Sequence, residues 1–302
     1  MTTAYLAARG YEAQLTEELD AAGVAVTHRH ERLLITASAP VVVAWAANVW
    51  FDAVEIPITS IGDAVRALRG RQRNWAMYAP AHAGRARLIA EQLPHVSAKP
   101  LVLGAPAPSA PLGSWTLLDA TTVLAATRCS SAFPNGEIAL VEDRHGPPSR
   151  AYLKLWEALV RIGRWPRGGD LCIDLGASPG GWTWLLAQLG ATVVAVDKAP
   201  LDERVAALAD VEWLEASAFA LDPASFTEAT WLFSDVIAYP ERLFALVERW
   251  RAHGCIRNII CTIKFQGETD HDIIHRFAAI DGAQVFHLHH NRHELTFALI
   301  ER

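Results

Sequence analysis

Short apolar runs and amphipathic stretches alternate along this chain with two different textures. In the first half, residues 4–8 predict a strand and 11–22 a helix with Leu15 and Leu19 on one side, stopped by Gly23. Residues 24–27 and 32–36 predict paired strands, and 41–51 a second helix. Helices at 64–68 and 85–93 follow, with extended segments at 75–78, 116–118 and 138–142; the Pro-, Ala- and Gly-rich stretch 103–114 is a loop. From Ala151 helix and strand alternate regularly, with strands at 171–175, 193–196, 231–234, 258–264, 283–289 and 295–300. Helices lie between the first four of these and near 271–278, and the last two strands predict an antiparallel hairpin. That alternation is the signature of an α/β fold with a doubly wound sheet, whose ligands lie beyond the carboxyl ends of the strands. The polar, turn-rich segment D-R-H-G-P-P-S-R (143–150) marks the junction. Three units are therefore expected: small α+β units over 1–55 and 56–145, and the doubly wound domain over 146–302.

One segment carries the strongest chemical signal. In C-I-D-L-G-A-S-P-G-G-W-T (172–183) a buried strand breaks into a turn of small residues that opens a helix over 182–189. The glycines let the backbone approach a ligand closely. The next strand ends in Asp197, about 20 residues beyond the first acid, where a carboxylate can accept both ribose hydroxyls of an adenosine. The spacing is not G-x-G-x-x-G and no G-K-[ST] follows, so a nucleoside suits the site better than a pyrophosphate.

Four further residues sit where the predicted elements bring polar groups to one edge. Lys154 lies in the helix ahead of the first strand, Asp235 ends W-L-F-S-D, Lys264 ends I-I-C-T-I-K, and Glu294 opens the last strand in N-R-H-E-L-T-F. Singly, each reads as a solvated charge or a turn former; together they converge on the crevice at the glycine turn.

Composition narrows the picture. A chain of 302 residues, 51% hydrophobic, can bury the cores of two domains. Cys129, Cys172, Cys255 and Cys261 are widely spaced among apolar neighbours, which predicts buried free thiols and argues against a disulfide framework or a zinc knuckle. The histidines near the tail, His287, His289, His290 and His293, complete no ligand set by spacing, so no metal is expected. The N-terminus has no basic segment followed by an apolar core, and no 18-residue apolar run occurs, so a cytoplasmic protein without a membrane partner is expected. Nor does any feature call for an obligate protein partner. The net charge is −6, with the acidity in the second half. The first half is neutral, yet Arg66, Arg69, Arg71, Arg73, Arg85 and Arg87 cluster there with Trp75 and Tyr78 among them. Such a cluster either holds phosphates or is an ordinary solvated helix face.

The string D-L-G-A-S-P-G-G-W-T resembles motif I of the FtsJ-like class I methyltransferases, and Lys154, Asp235, Lys264 and Glu294 match the K-D-K-E tetrad of 2'-O-ribose methyltransferases in order and strand context. P-S-R-A-Y-L-K-L, W-L-F-S-D-V and the tail H-H-N-R-H-E-L-T-F-A-L-I-E-R narrow the resemblance to the RlmM-type family, densely over the second half. In the first half N-V-W-F, the helix around Arg85 and S-S-A-F-P-N-G match more loosely. The resemblance implies a Rossmann-like methyltransferase domain that binds S-adenosyl-L-methionine and methylates a cytidine ribose of 23S ribosomal RNA or its precursor. It also implies an RNA-docking first half, RRM-like over 1–55 and THUMP-like over 56–145. Ser178, Pro179, Gly180, Gly181, Asp197, Ser217 and Asp235 would hold the cofactor, and the tetrad would act on the target hydroxyl. Lys264 would take the hydroxyl proton, or stay charged and stabilise the developing alkoxide. Three departures stand out: Ser217 where the family has an acid toward the adenine amino group, Ala151 for a serine, and Ser178 for a cysteine. They keep two alternatives open, a non-catalytic RNA-binding protein with a degenerate methyltransferase domain and a methyltransferase for a base or another substrate.

Overall fold

The computed structural model describes residues 1–301. Two compact units divide the chain: Met1–Leu101 with Ala107–Ala139 form the first, and Val102–Pro106 with the chain from Leu140 onward form the second.

The first unit contains two sheets. Its elements are β1 (Thr3–Ala7), α1 (Glu12–Ala21), β2 (Val26–His30), β3 (Leu33–Thr36), β4 (Ala46–Phe51), β5 (Val54–Pro57), α2 (Ile61–Arg69), β6 (Trp75–Met77), α3 (Ala83–Ala90), β7 (Gly113–Leu117), β8 (Thr122–Ala126) and β9 (Arg128–Cys129). One sheet has the order β2-β3-β1-β4-β9 and the other β5-β8-β7-β6. Ala4, Leu6, Leu33, Ile35 and Trp50 of the first sheet share a core cluster with Leu124 and Ala126 of the second. The helix expected at 41–51 is instead β4, antiparallel to β1 and β9. Its exposure alternates residue by residue, as a strand half-buried on one face requires, and the alanines that suggest a helix serve as small sheet positions. The strand expected at 138–142 is reduced to a bridge at Leu140, and β5 and β8 take the sheet positions instead. Trp75 and Tyr78 are core residues, and the Trp75 indole donates to the carbonyls of Leu68 and Gln72, so neither aromatic ring stands among the arginines as a stacking surface.

The second unit is built on one seven-stranded sheet. Its elements are α4 (Tyr152–Ile162), β10 (Leu171–Leu175), α5 (Gly181–Gln188), β11 (Thr192–Asp197), α6 (Glu203–Ala206), β12 (Val211–Glu215), β13 (Trp231–Ser234), α7 (Pro240–His253), β14 (Asn258–Lys264), α8 (His271–Ala278), β15 (Ala283–Phe286) and β16 (Glu294–Ile300). The order is β12-β11-β10-β13-β14-β16-β15, parallel from β12 to β14, with β16 antiparallel to both neighbours. Central strands covered on both faces need apolar side chains throughout, which explains why β10, β13 and β14 read as continuous apolar runs. Ile173, Leu232, Phe233, Ile259, Ile260 and Ile263 are fully buried, and burying each stabilises the fold by about 2 kcal/mol. Order reverses at β10, where β11 lies on one side and β13 on the other, so a crevice opens at the carboxyl edge there. Cys172 and Cys261 are buried, and burial pushes both thiols up; Cys129 and Cys255 are partly exposed, and all four are free.

Candidate active site

Antiparallel pairing explains how Glu294 reaches a site built from the ends of parallel strands. The start of β16 lies opposite the end of β14, with Lys264 paired to Glu294 in register. Asp235 follows β13, the parallel neighbour of β14. Lys154 comes from the first turn of α4, which is tied to α5 by the Trp182 indole donating to the Ala151 carbonyl at 3.0 Å.

These four residues form one ion cluster. The Lys154 ammonium lies 3.1 Å from both Asp235 carboxylate oxygens and 3.0 Å from Glu294 Oε1. Lys264 Nζ lies 3.1 Å from Asp235 Oδ1 and also donates to the Asp235 carbonyl. Their side chains are only 11–19% exposed, so the charges interact in a partly water-excluded pocket. Burial by itself lowers the Lys154 pKa, but Asp235 and Glu294 outweigh it and raise the net value above that of an ordinary lysine. Lys154 is therefore a fixed cation at neutral pH.

The glycine turn lies beside this cluster. Gly176 has φ +77°, and a Cβ there would sit 2.8 Å from Val236 Cα, next to Asp235. Gly181 opens α5, where a Cβ would meet Ser149 Oγ at 2.5 Å. The Ser178 N–H donates to Asp197 at 3.1 Å, and its hydroxyl donates to the Pro200 carbonyl at 2.8 Å. The Pro179 carbonyl accepts from the Asp202 N–H. Ser178 to Gly181 thus form a braced turn on one flank of Asp197. A crevice of about 200 Å³ is lined by Gly176, Asp197, Ser217, Phe219, Val236 and Arg242 among others, and Ser178 to Gly181 are not among its lining residues. Asp197 and Ser217 share that crevice, and Val236 connects it to the ion cluster.

Sequence reasoning missed three groups. Asp174, one residue before the end of β10, is fully buried; burial first, then the charges of Asp235 and Asp197, push its carboxyl up to about 7 against the Thr183 hydroxyl bond at 2.7 Å. Arg242 on α7 stacks over Phe219 with its guanidinium carbon 3.8 Å from the ring centroid, covering one wall of the crevice. Glu157, one turn beyond Lys154, is buried. Asp174 was visible as the acid ending an apolar run; Arg242 and Glu157 read as ordinary charges of amphipathic helices. Of the tail histidines, His290 pairs with Glu157 at 2.6 Å and His287 lies 3.0 Å from the Arg292 carbonyl. Among the described residues no group of three His, Cys, Asp or Glu side chains gathers to hold a metal ion, and no helix is long and apolar enough to cross a membrane.

Residues 147–245 match the family model of the FtsJ-like methyltransferases, a segment that includes Lys154, the glycine turn, Asp197, Ser217 and Asp235. The ribosomal RNA large subunit methyltransferase M of Halorhodospira halophila is 35% identical over 174 residues, 54% of this chain and 50% of that protein. The protein of the same name from Azoarcus sp. is 34% identical over 165 residues, 49% of this chain and 45% of that one. The chain therefore spans about half the length of the curated relatives it matches. Solved structures are more distant: a Streptococcus thermophilus protein described as a hemolysin gives a TM-score of 0.41 at 20% identity, over 56% of this chain and 73% of that one, and carries no weight for function. With the sheet order and the matched segment together, the second unit has a class I methyltransferase fold, and its residues 147–245 are similar to the FtsJ-like methyltransferases.

Proposed function

We propose that this protein is an S-adenosyl-L-methionine-dependent RNA 2'-O-ribose methyltransferase acting on a cytidine of 23S ribosomal RNA. The observation that carries this reading is the Lys154–Asp235–Lys264–Glu294 cluster beside the glycine turn. The cofactor supplies an electrophilic methyl group when bound. The crevice fits its adenosine end: Asp197 accepts a backbone N–H on each oxygen and keeps a further lone pair on each for ribose hydroxyls. Ser217 is a neutral acceptor at the adenine end, and the Ser178 to Gly181 turn with Asp235 borders the methionine end.

A ribose hydroxyl is a weak nucleophile, so the chain must orient it in line with the methyl group and dispose of its proton. Lys154 is held cationic by two carboxylates and cannot be the base; it fixes Asp235 and Glu294 in place. Lys264, at the end of β14, contacts Asp235 alone of the two carboxylates, so it binds the hydroxyl oxygen: as the ammonium it stabilises the developing alkoxide while the proton leaves to water, and after losing its own proton to solvent the neutral amine takes up the hydroxyl proton itself. The first half is read as the RNA-docking part, an RRM-like unit over 1–55 and a THUMP-like unit over 56–145, with its exposed arginines on phosphates.

Incubating the protein with tritiated S-adenosyl-L-methionine and 23S ribosomal RNA tests the reading. Label should enter a nucleotide whose 3' phosphodiester resists alkaline cleavage, because that cleavage needs a free 2'-hydroxyl. Label in an alkali-sensitive nucleotide means base methylation, and no heat of cofactor binding at millimolar concentration means a non-catalytic protein.

A further inference from the structure

Glu157 is a buried carboxylate for which the chemistry above has no use. It sits on α4 one turn after Lys154, where side chains three apart share a face. Both of its oxygens are engaged by a single turn: Oε1 accepts the His289 N–H at 2.7 Å, and Oε2 accepts the His290 N–H at 3.0 Å and lies 2.6 Å from His290 Nδ1. Two successive backbone N–H groups closing on one anion form a nest, which is how a chain justifies burying a charge. The turn so gripped joins β15 to β16 and runs directly into Glu294.

The rest of the turn is braced toward the same residue. Asn291 donates to the Glu294 carbonyl at 3.3 Å and to Thr296 at 3.2 Å. The Glu294 N–H donates to the Arg292 carbonyl at 2.8 Å, and the Arg292 N–H reaches Glu294 Oε1 at 3.4 Å. Helix α4 therefore holds Glu294 twice, through Lys154 on its carboxylate and through Glu157 on the backbone that delivers it.

We infer that Glu157 is a positioning residue: by anchoring the His289–His290 turn it sets the register at which Glu294 enters the ion cluster. This rests on the proposed methyltransferase reading for its kinetic consequence, but its structural consequence stands without it.

The test uses the full chain with Glu157→Ala, and His290→Ala as a milder variant that removes one of the three contacts. Amide exchange of the 287–294 segment, measured without cofactor, should rise about tenfold or more in Glu157→Ala and less in His290→Ala, while the β10 and β11 segments exchange as in wild type. In turnover, Glu157→Ala should lower kcat about tenfold with little change in KM for the cofactor, and that loss should vanish in a Glu294→Gln background, since two residues acting through one path are non-additive. Unchanged exchange at 287–294, or a kcat loss equally large in the Glu294→Gln background, overturns the inference. A wild-type protein that transfers no methyl group to RNA sinks the functional reading instead, and the exchange measurement then decides the role of Glu157 alone.

Discussion

Charges at the carboxyl edge of the seven-stranded sheet and charges on the first unit obey opposite rules. Lys154, Asp235, Lys264 and Glu294 are less than a fifth exposed and contact one another directly. Arg66 and Arg87, by contrast, are about three-quarters exposed and, among the described residues, pair with Asp63 on the same helix and with Glu91 at the helix end. A partly buried network makes each member depend on the others, whereas exposed charges act independently and are screened by salt. Position is therefore the product of the first arrangement, and field is the product of the second. Chemistry at a single hydroxyl needs position; holding a phosphate chain needs field.

The largest effect that would sharpen this contrast is on turnover. Lys264→Ala should lower methyl transfer about a thousandfold or more while leaving cofactor affinity, read by calorimetry, within about twofold. Retained activity would mean that the cluster is structural, and the contrast would reduce to one of burial.

Stability comes next. Lys154→Met keeps the aliphatic stem but strips the shared cation from Asp235 and Glu294, and should cost about 3 kcal/mol in urea unfolding. Because the folded-state pKa of Lys154 is raised, this contribution is fully present below the ordinary lysine pKa and is lost only as pH climbs through the higher folded value, so the cost should be the same at pH 6 and pH 8. A Lys154→Met protein as stable as wild type would place these residues with the exposed arginines.

A third effect reverses the sign. Asp174 is a buried acid whose pKa is raised to about 7, so the folded protein keeps a proton that the unfolded chain releases near pH 4. Stability from this group is greatest below the unfolded value and falls as pH rises toward 7, by up to about 4 kcal/mol above that point. Asp174→Asn, whose amide oxygen can still accept from Thr183, should melt higher than wild type at pH 8, with the gap closing near pH 4. A variant that melts lower at pH 8 would show that the ionised carboxylate is stabilising.

The same division between position and field governs what could be read from the sequence. The glycine turn was legible because glycine and proline punctuate an apolar run, and the four cluster residues were legible because strand ends of a doubly wound sheet share one edge. Hydrophobic pattern also placed a helix near 271–278, where α8 runs from His271 to Ala278. It failed where both states suit the composition: V-V-V-A-W-A-A-N-V-W-F suits a helix by its alanines and a strand by its valines and aromatics, and pairing with β1 decided the matter. It missed β12, an edge strand largely exposed and therefore carrying little apolar signal. Burial of a single charge leaves no mark in one sequence, so neither the raised carboxyl of Asp174 nor the burial of Glu157 was legible, and Trp75 looked available for stacking although it lies in the core of the first unit.

The smallest expected effects belong to the arginines and offer the most direct way to break the contrast. Arg66 and Arg69 on α2, Arg71 and Arg73 after it, and Arg87 on α3 are all exposed; Arg69 and Arg71 are held to the carbonyls of Gln92 and Ala67, which fixes their stems without neutralising them. If they supply field rather than position, each change to alanine should leave stability within about 0.5 kcal/mol. Each should also weaken RNA binding by a similar small factor and reduce the slope of log affinity against log salt by about 0.7 for a single-stranded target. Two substitutions together should have the summed effect, because screened, separate charges do not couple. A single arginine that alone abolished binding, with a salt slope unchanged, would instead mark a built pocket on the first unit, and position would then matter there as it does at the sheet edge.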